Sequence, residues 1–134
     1  MSTFDFKSQK PFVYSSLTLE RAERSLICSP FKVDLFAAMQ CSRVAIGEIT
    51  GNAGVEKNYT LSPLSELTTD TELVWLIQVG VLRREVDGQG ITDSFRLTPL
   101  GRQLVEQFKT KPWRNPTLSD RFKETVTRWL RIPF

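Results

Sequence analysis

The side chains best suited to chemistry in this chain are arginines: Arg83 and Arg84 are adjacent, and Arg96 and Arg102 follow within twenty residues. A guanidinium presents a planar fork of donors that matches a phosphate. Neighbouring strand residues point to opposite faces, so at most one of Arg83 and Arg84 can address a single ligand. The chain has no histidine, which removes the commonest general base and metal ligand. Cys28 and Cys41 stand thirteen residues apart, with no redox or metal-ligand spacing. They read as buried small hydrophobes or reduced thiols, with a redox-switching pair as the alternative. Asp87-Gly88-Gln89-Gly90 has the composition of a hairpin turn rather than of a phosphate loop. No catalytic, cofactor-binding or metal set can be drawn, so a binding role is expected rather than an enzymatic one.

Charge is unevenly placed. Residues 1–95 carry a net charge of −3 and residues 96–134 a net charge of +6. A basic end on a mildly acidic body suits an anionic partner near the C-terminus, or simply a solvated basic helix face. Apolar residues make up 40% of the 134, so wholesale disorder is excluded. No run of 18 apolar residues occurs, and the first 15 lack an apolar signal-peptide region, so a cytoplasmic protein without a membrane span is expected.

The elements that must position these groups follow from periodicity and caps. Residues 1–16 read as an arm in which Phe4, Phe6, Phe12 and Tyr14 show no helical period. Ser16 to Ile27 reads as a helix with an apolar stripe at Leu19, Ala22, Leu26 and Ile27. Phe31 to Ile49 reads as one long helix, closed by a loop at Gly51-Asn52-Ala53-Gly54. Ser62-Pro63 opens a short helix, and Thr69 to Glu72 has the spacing of a capping box that opens a second. That second helix stops at Gly80. Two short helices across a tight turn make a helix-turn-helix. Val81 to Val86 and Ser94 to Leu97 are strands about the 87–90 turn, and Thr98-Pro99 starts a further helix.

Lys111 to Pro116 holds two prolines and is a linker. Thr117 to Arg131 is a last helix with Leu118, Phe122, Val126, Trp129 and Leu130 on one stripe. Its interface residues Phe122, Val126, Trp129 and Leu130 are expected to bury against residues 17–49 or against a second copy in a homodimer. A third possibility is an anionic membrane surface. The reading divides the chain into an arm (1–16), a domain (17–111) and a proline-bounded linker with a basic amphipathic helix (112–134).

The phrases "GVLRRE" at 80–85 and "FRLTPLGRQLV" at 95–105, in this order, resemble MarR- and PadR-type regulators over residues 60–108. The resemblance implies a mainly α fold with a small β-hairpin (α+β), a winged helix-turn-helix with flanking N- and C-terminal helices. It also implies a transcriptional regulator that binds double-stranded DNA. The groove helix would then be residues 70–79 and the wing tip residues 87–93. Under that reading Arg83, Arg84, Arg96 and Arg102 meet phosphates, and Thr69, Thr71 and Gln78 are the available base readers.

Local charge opposes it. Residues 58–82 contain no Lys or Arg, but do contain Glu66, Asp70 and Glu72. Affinity for duplex DNA comes largely from neutralised phosphates. The alternative is a winged-helix module that binds protein through Trp75 and the acidic motif helix. No cofactor enters either reading.

Overall fold

A computed structural model describes residues 14–110, 113 and 115–131. The expected arm falls almost wholly outside them; of its aromatic residues only Tyr14 is described, packed on the core. Among the described residues, six helices and a small antiparallel sheet make an α+β architecture. In chain order they are α1 (Ser16–Cys28), α2 (Val33–Cys41), β1 (Val44–Ala45), a 3-10 turn (Ile46–Glu48), α3 (Gly51–Glu56), α4 (Glu66–Gln78), β2 (Leu82–Asp87), β3 (Gly90–Leu97), α5 (Pro99–Thr110) and α6 (Leu118–Arg131). The sheet order is β1-β3-β2.

The hairpin follows its sequence signals. Leu82 pairs with Leu97, Arg83 with Arg96, Arg84 with Phe95 and Val86 with Ile91, with an irregularity between Arg84 and Val86. Alternation sends Leu82, Phe95 and Leu97 into the core, beside Leu26, Leu35, Phe36, Met39, Leu73, Leu76 and Leu104. Gly80 has φ +90°, and the amides of Gly80 and Val81 donate to the Ile77 and Leu76 carbonyls. This double closure ends α4 and demands the left-handed conformation that glycine adopts without strain. Thr98 caps α5: its hydroxyl accepts from the Gly101 amide at 3.1 Å and donates to the Gly80 and Val81 carbonyls. A Cβ on Gly101 would lie 2.3 Å from the Val81 carbonyl oxygen, so the start of α5 approaches the backbone just before β2 closer than any larger residue allows.

Two expectations about helices are corrected. The helix expected over 31–49 ends at Cys41, and Val44 and Ala45 pair instead with Phe95 and Ser94 of β3. Residues 51–54, expected as a loop, open α3. The edge of the hairpin supplies hydrogen-bond partners to β1 that no local signal in residues 42–49 reveals.

A further correction concerns α4. The Ser62-Pro63 segment is not helical, and α4 starts at Glu66 with Ser65 as its cap. The Ser65 hydroxyl accepts from the Thr68 amide at 3.1 Å. Thr69 is therefore inside the helix, fully buried, and its hydroxyl donates to the Ser65 carbonyl at 2.8 Å. Thr69 is no cap, and Glu72 faces α6 rather than the helix start. The earlier start wins because Thr69 completes the buried stripe with Leu73 and Leu76.

The last helix packs the other way round from expectation. Thr117 and Asp120 form its capping box: the Asp120 amide donates to the Thr117 hydroxyl at 3.0 Å, and the Thr117 amide donates to the Asp120 carboxylate at 2.9 Å. The helix then lays its polar face on α1 and α4. Glu124 is buried, accepting from the Trp75 indole N–H at 2.6 Å and from the Ser25 hydroxyl at 3.0 Å. Arg24 Nε lies 3.5 Å from the same carboxylate, and Arg24 also donates to the Thr127 hydroxyl at 3.1 Å. Arg128 pairs with Glu72 at 3.1 Å and stands 5.1 Å over the Trp75 ring. The linker contributes Trp113, stacked on Phe36 with ring centroids 6.0 Å apart.

Stability measurements on four variants check this arrangement. Ser65→Ala should cost about 1 kcal/mol, the usual size of a lost helix cap. Thr69→Ser should cost about 0.8 kcal/mol, the size of one buried methyl(ene) group. Were Thr69 the cap, serine would serve there unharmed, and equal denaturant midpoints for parent and Thr69→Ser would show it. Glu124→Ala should destabilise by about 3–5 kcal/mol because it leaves the buried Trp75 indole without its acceptor and Arg24 without its counter-charge. Glu124→Gln should cost less, since the amide oxygen still accepts from the indole. An unchanged melting temperature in Glu124→Ala would mean that this carboxylate does not hold α6.

Candidate functional site

The hairpin brings Arg83, Arg84 and Arg96 close together in the sheet, Arg102 lies on α5, and each of the four meets a partner from its own chain. Arg83 and Arg96 are opposite one another in the hairpin register, and between them stands Glu85. Its carboxylate lies 3.5 Å from the Arg83 guanidinium and 3.1 Å from Arg96 Nε. Arg84, on the opposite face of β2, lies 3.7 Å from Asp70 of α4, with its guanidinium 4.7 Å over the Phe95 ring. Arg102 belongs elsewhere: from α5 it donates to the Gln40 carbonyl at 3.2 Å and ties α5 to the end of α2. Of the four arginines, Arg83 has the most exposed side chain among those paired with acids.

The three expected base readers separate as well. Thr71 and Gln78 are exposed on α4. Thr69 is buried and cannot touch a ligand. Trp75, expected as a possible contact for a protein partner, is likewise buried: α6 covers it, and its one polar atom is held by Glu124. The exposed face of α4 is instead Leu67, Thr71 and Gln78, with Val74 half-buried beside them.

Sequence reasoning passed over the apolar residues of the β2–β3 hairpin. Val86 and Ile91 are cross-strand partners, 60% and 76% exposed. They form a small apolar pair near the hairpin turn, flanked by the exposed carboxylates of Asp87 and Asp93. Asp87 also accepts from the Gln89 amide at 2.8 Å, which fixes the turn. The alternation that placed Leu82, Phe95 and Leu97 inside is broken at the bulge between Arg84 and Val86. This irregularity is the physical reason that the outer half of the hairpin carries apolar side chains into solvent.

The electrostatics of this face are therefore acidic. Residues 66–97 hold six acids and three arginines, and those arginines are the ones already paired with acids of the same segment. Among the described residues no cluster of three or more His, Cys, Asp or Glu is placed to hold a metal ion. No helix of the described residues is long and apolar enough to cross a membrane. Cys28 and Cys41 are both free thiols. Burial, and then the nearby Glu124 carboxylate, push the Cys28 thiol above its usual value.

The expected interface residues of α6 face solvent. Phe122, Trp129 and Leu130 are each about two-thirds exposed and Val126 is 38% exposed. Their burial against residues 17–49 of the same chain does not occur, because Glu124, Thr127 and Arg128 take that side of the helix.

No curated protein and no solved structure matches the chain. The model of the Npun_F0494-like family does match it, from residue 12 to residue 128. That span takes in the sheet, the five helices around it and most of α6, and the chain belongs to the Npun_F0494-like family.

Proposed function

We propose that this protein is a winged-helix module that binds another protein through the outer face of α4 and the wing, rather than a reader of duplex DNA. Support for the winged-helix reading lies in the order α2, β1, α3, α4, β2, β3 with sheet order β1-β3-β2. The helix-turn-helix is then α3 and α4, joined by residues 57–65, and the wing is the β2–β3 hairpin. The likeness to MarR- and PadR-type regulators rests on the phrases at 80–85 and 95–105 together with this order.

One observation carries the choice of ligand. Arg83 and Arg96 share Glu85, and Arg84 is matched by Asp70. Phosphates would have to displace these carboxylates before gaining anything, and they would meet Asp87, Asp93 and Glu66 on the way. A protein surface with an apolar centre and a basic rim fits better, because Leu67, Val86 and Ile91 offer apolar contact beside those acids. No enzymatic role is part of this proposal.

DNA binding keeps one specific support. Thr71 and Gln78 are exposed on α4, and the Arg83 side chain is 54% exposed. Anisotropy titration of a mixed-sequence duplex at two salt concentrations separates the two. The protein-binding reading expects weak binding, with a logarithmic salt slope no steeper than about −2, two phosphates' worth. It also expects Glu85→Gln, which releases Arg83 and Arg96, to steepen that slope by up to about 2. A photo-crosslinking side chain at Ile91 should give protein adducts in cells. Nanomolar duplex binding with a steep slope, together with nucleic-acid adducts from Ile91, would overturn the proposal in favour of a DNA-binding regulator.

A further inference from the structure

α6 is an amphipathic helix mounted with its polar face inward. Fourteen residues give it a length of about 21 Å. Glu124 and Arg128 fix its rotation through Trp75, Ser25 and Glu72, so the helix cannot roll to hide the opposite face. On that opposite face Leu118, Phe122, Val126, Trp129 and Leu130 follow one another at helical spacing, and every one is exposed. A large aromatic side chain offers about 150–250 Å², so the stripe lays bare on the order of 600 Å² of apolar surface. Soluble monomers rarely leave more than a few hundred Å² of contiguous apolar surface uncovered.

The geometry points to a second copy of this chain as the occupant, through an antiparallel α6–α6 contact about a two-fold axis at Val126. The area is the first argument. With the axis at Val126 the two helices overlap over residues 121–131, so Phe122, Val126, Trp129 and Leu130 of each copy bury about 1,000 Å² in total, the least that a specific interface needs. Register is the second. A two-fold axis at Val126 brings Phe122 of one copy against Leu130 of the other, and places Lys123 beside the other copy's Trp129. Aliphatic then meets aromatic, and the exposed cation on the helix shoulder lies against an indole instead of against another cation. An anionic membrane is the weaker fit. The shoulders of the stripe carry two cations, Arg121 and Lys123, where surface anchoring uses clusters of about four to eight. This contact stands apart from the proposed α4 and wing surface and does not depend on it.

Light scattering of the intact chain at about 100 µM, well above the micromolar limit for interfaces of this class, tests the contact. The expected mass is twice the 15.3 kDa of one chain. Val126→Glu sets like charges against each other on the axis and should halve the mass; a cooperative thermal melt and an unchanged far-UV circular dichroism spectrum show that the fold survives. Phe122→Lys and Leu130→Glu should each be monomeric alone, and mixing the two should restore the doubled mass. A parent protein of 15.3 kDa at that concentration overturns the inference, as does a dimer that survives Val126→Glu. Two monomeric variants that fail to reassemble on mixing overturn the antiparallel register. A monomeric parent that sediments with phosphatidylglycerol vesicles, but not with phosphatidylcholine vesicles, assigns the stripe to a membrane instead.

Discussion

The carboxylate of Glu124 decides how the last third of the molecule is built. Burying an ion is costly unless it is paired and hydrogen-bonded. Here the cost is met from three directions: the Trp75 indole, the Ser25 hydroxyl and the Arg24 guanidinium converge on one carboxylate. The dependence is mutual, since a buried indole N–H needs an acceptor and α4 has none of its own to spare. Trp75 can enter the core only because Glu124 receives its proton donor. Glu124 can be buried only where α1 and α4 present those groups side by side. With that contact made, α6 has one possible orientation, and its apolar stripe is the side left over.

The same logic of internal pairing governs α4. Its acids looked like obstacles to an anionic ligand, yet two of them are structural. Asp70 meets Arg84 of β2, and Glu72 meets Arg128 of α6. The helix is gripped on one flank by the hairpin and on the other by the last helix, each time through a carboxylate–guanidinium pair. Partly exposed pairs of this kind add little stability individually. Their larger effect is on what the surface can attract. Arg83, Arg84 and Arg96 are the cations of the 66–97 segment, and all three face carboxylates from within it.

Among the described residues, two exposed surfaces differ in chemistry. The surface of α4 and the β2–β3 hairpin is acidic with a small apolar centre at Val86 and Ile91. The α6 surface is broadly apolar with cationic shoulders at Arg121 and Lys123.

Sequence by itself determined the parts whose signals are local. The 87–90 turn, the Gly80 stop, the Thr98-Pro99 start of α5 and the extent of α6 all depend on residues within a few positions, and all are where those residues place them. Tertiary structure decided everything that needs a distant partner. Residues 44 and 45 are a strand only because β3 offers an edge fifty residues away. Thr69 is buried rather than capping because Leu73 and Leu76 share its core-facing side. The rule that apolar faces turn inward failed for α6, because a buried indole and a guanidinium on α4 and α1 claimed its polar face first. Arginine spacing identified the cations near the hairpin but could not show that Glu85 and Asp70 already stood beside them. A charge in a sequence is countable; whether it is still available to a ligand depends on what the fold has brought within a few ångströms of it.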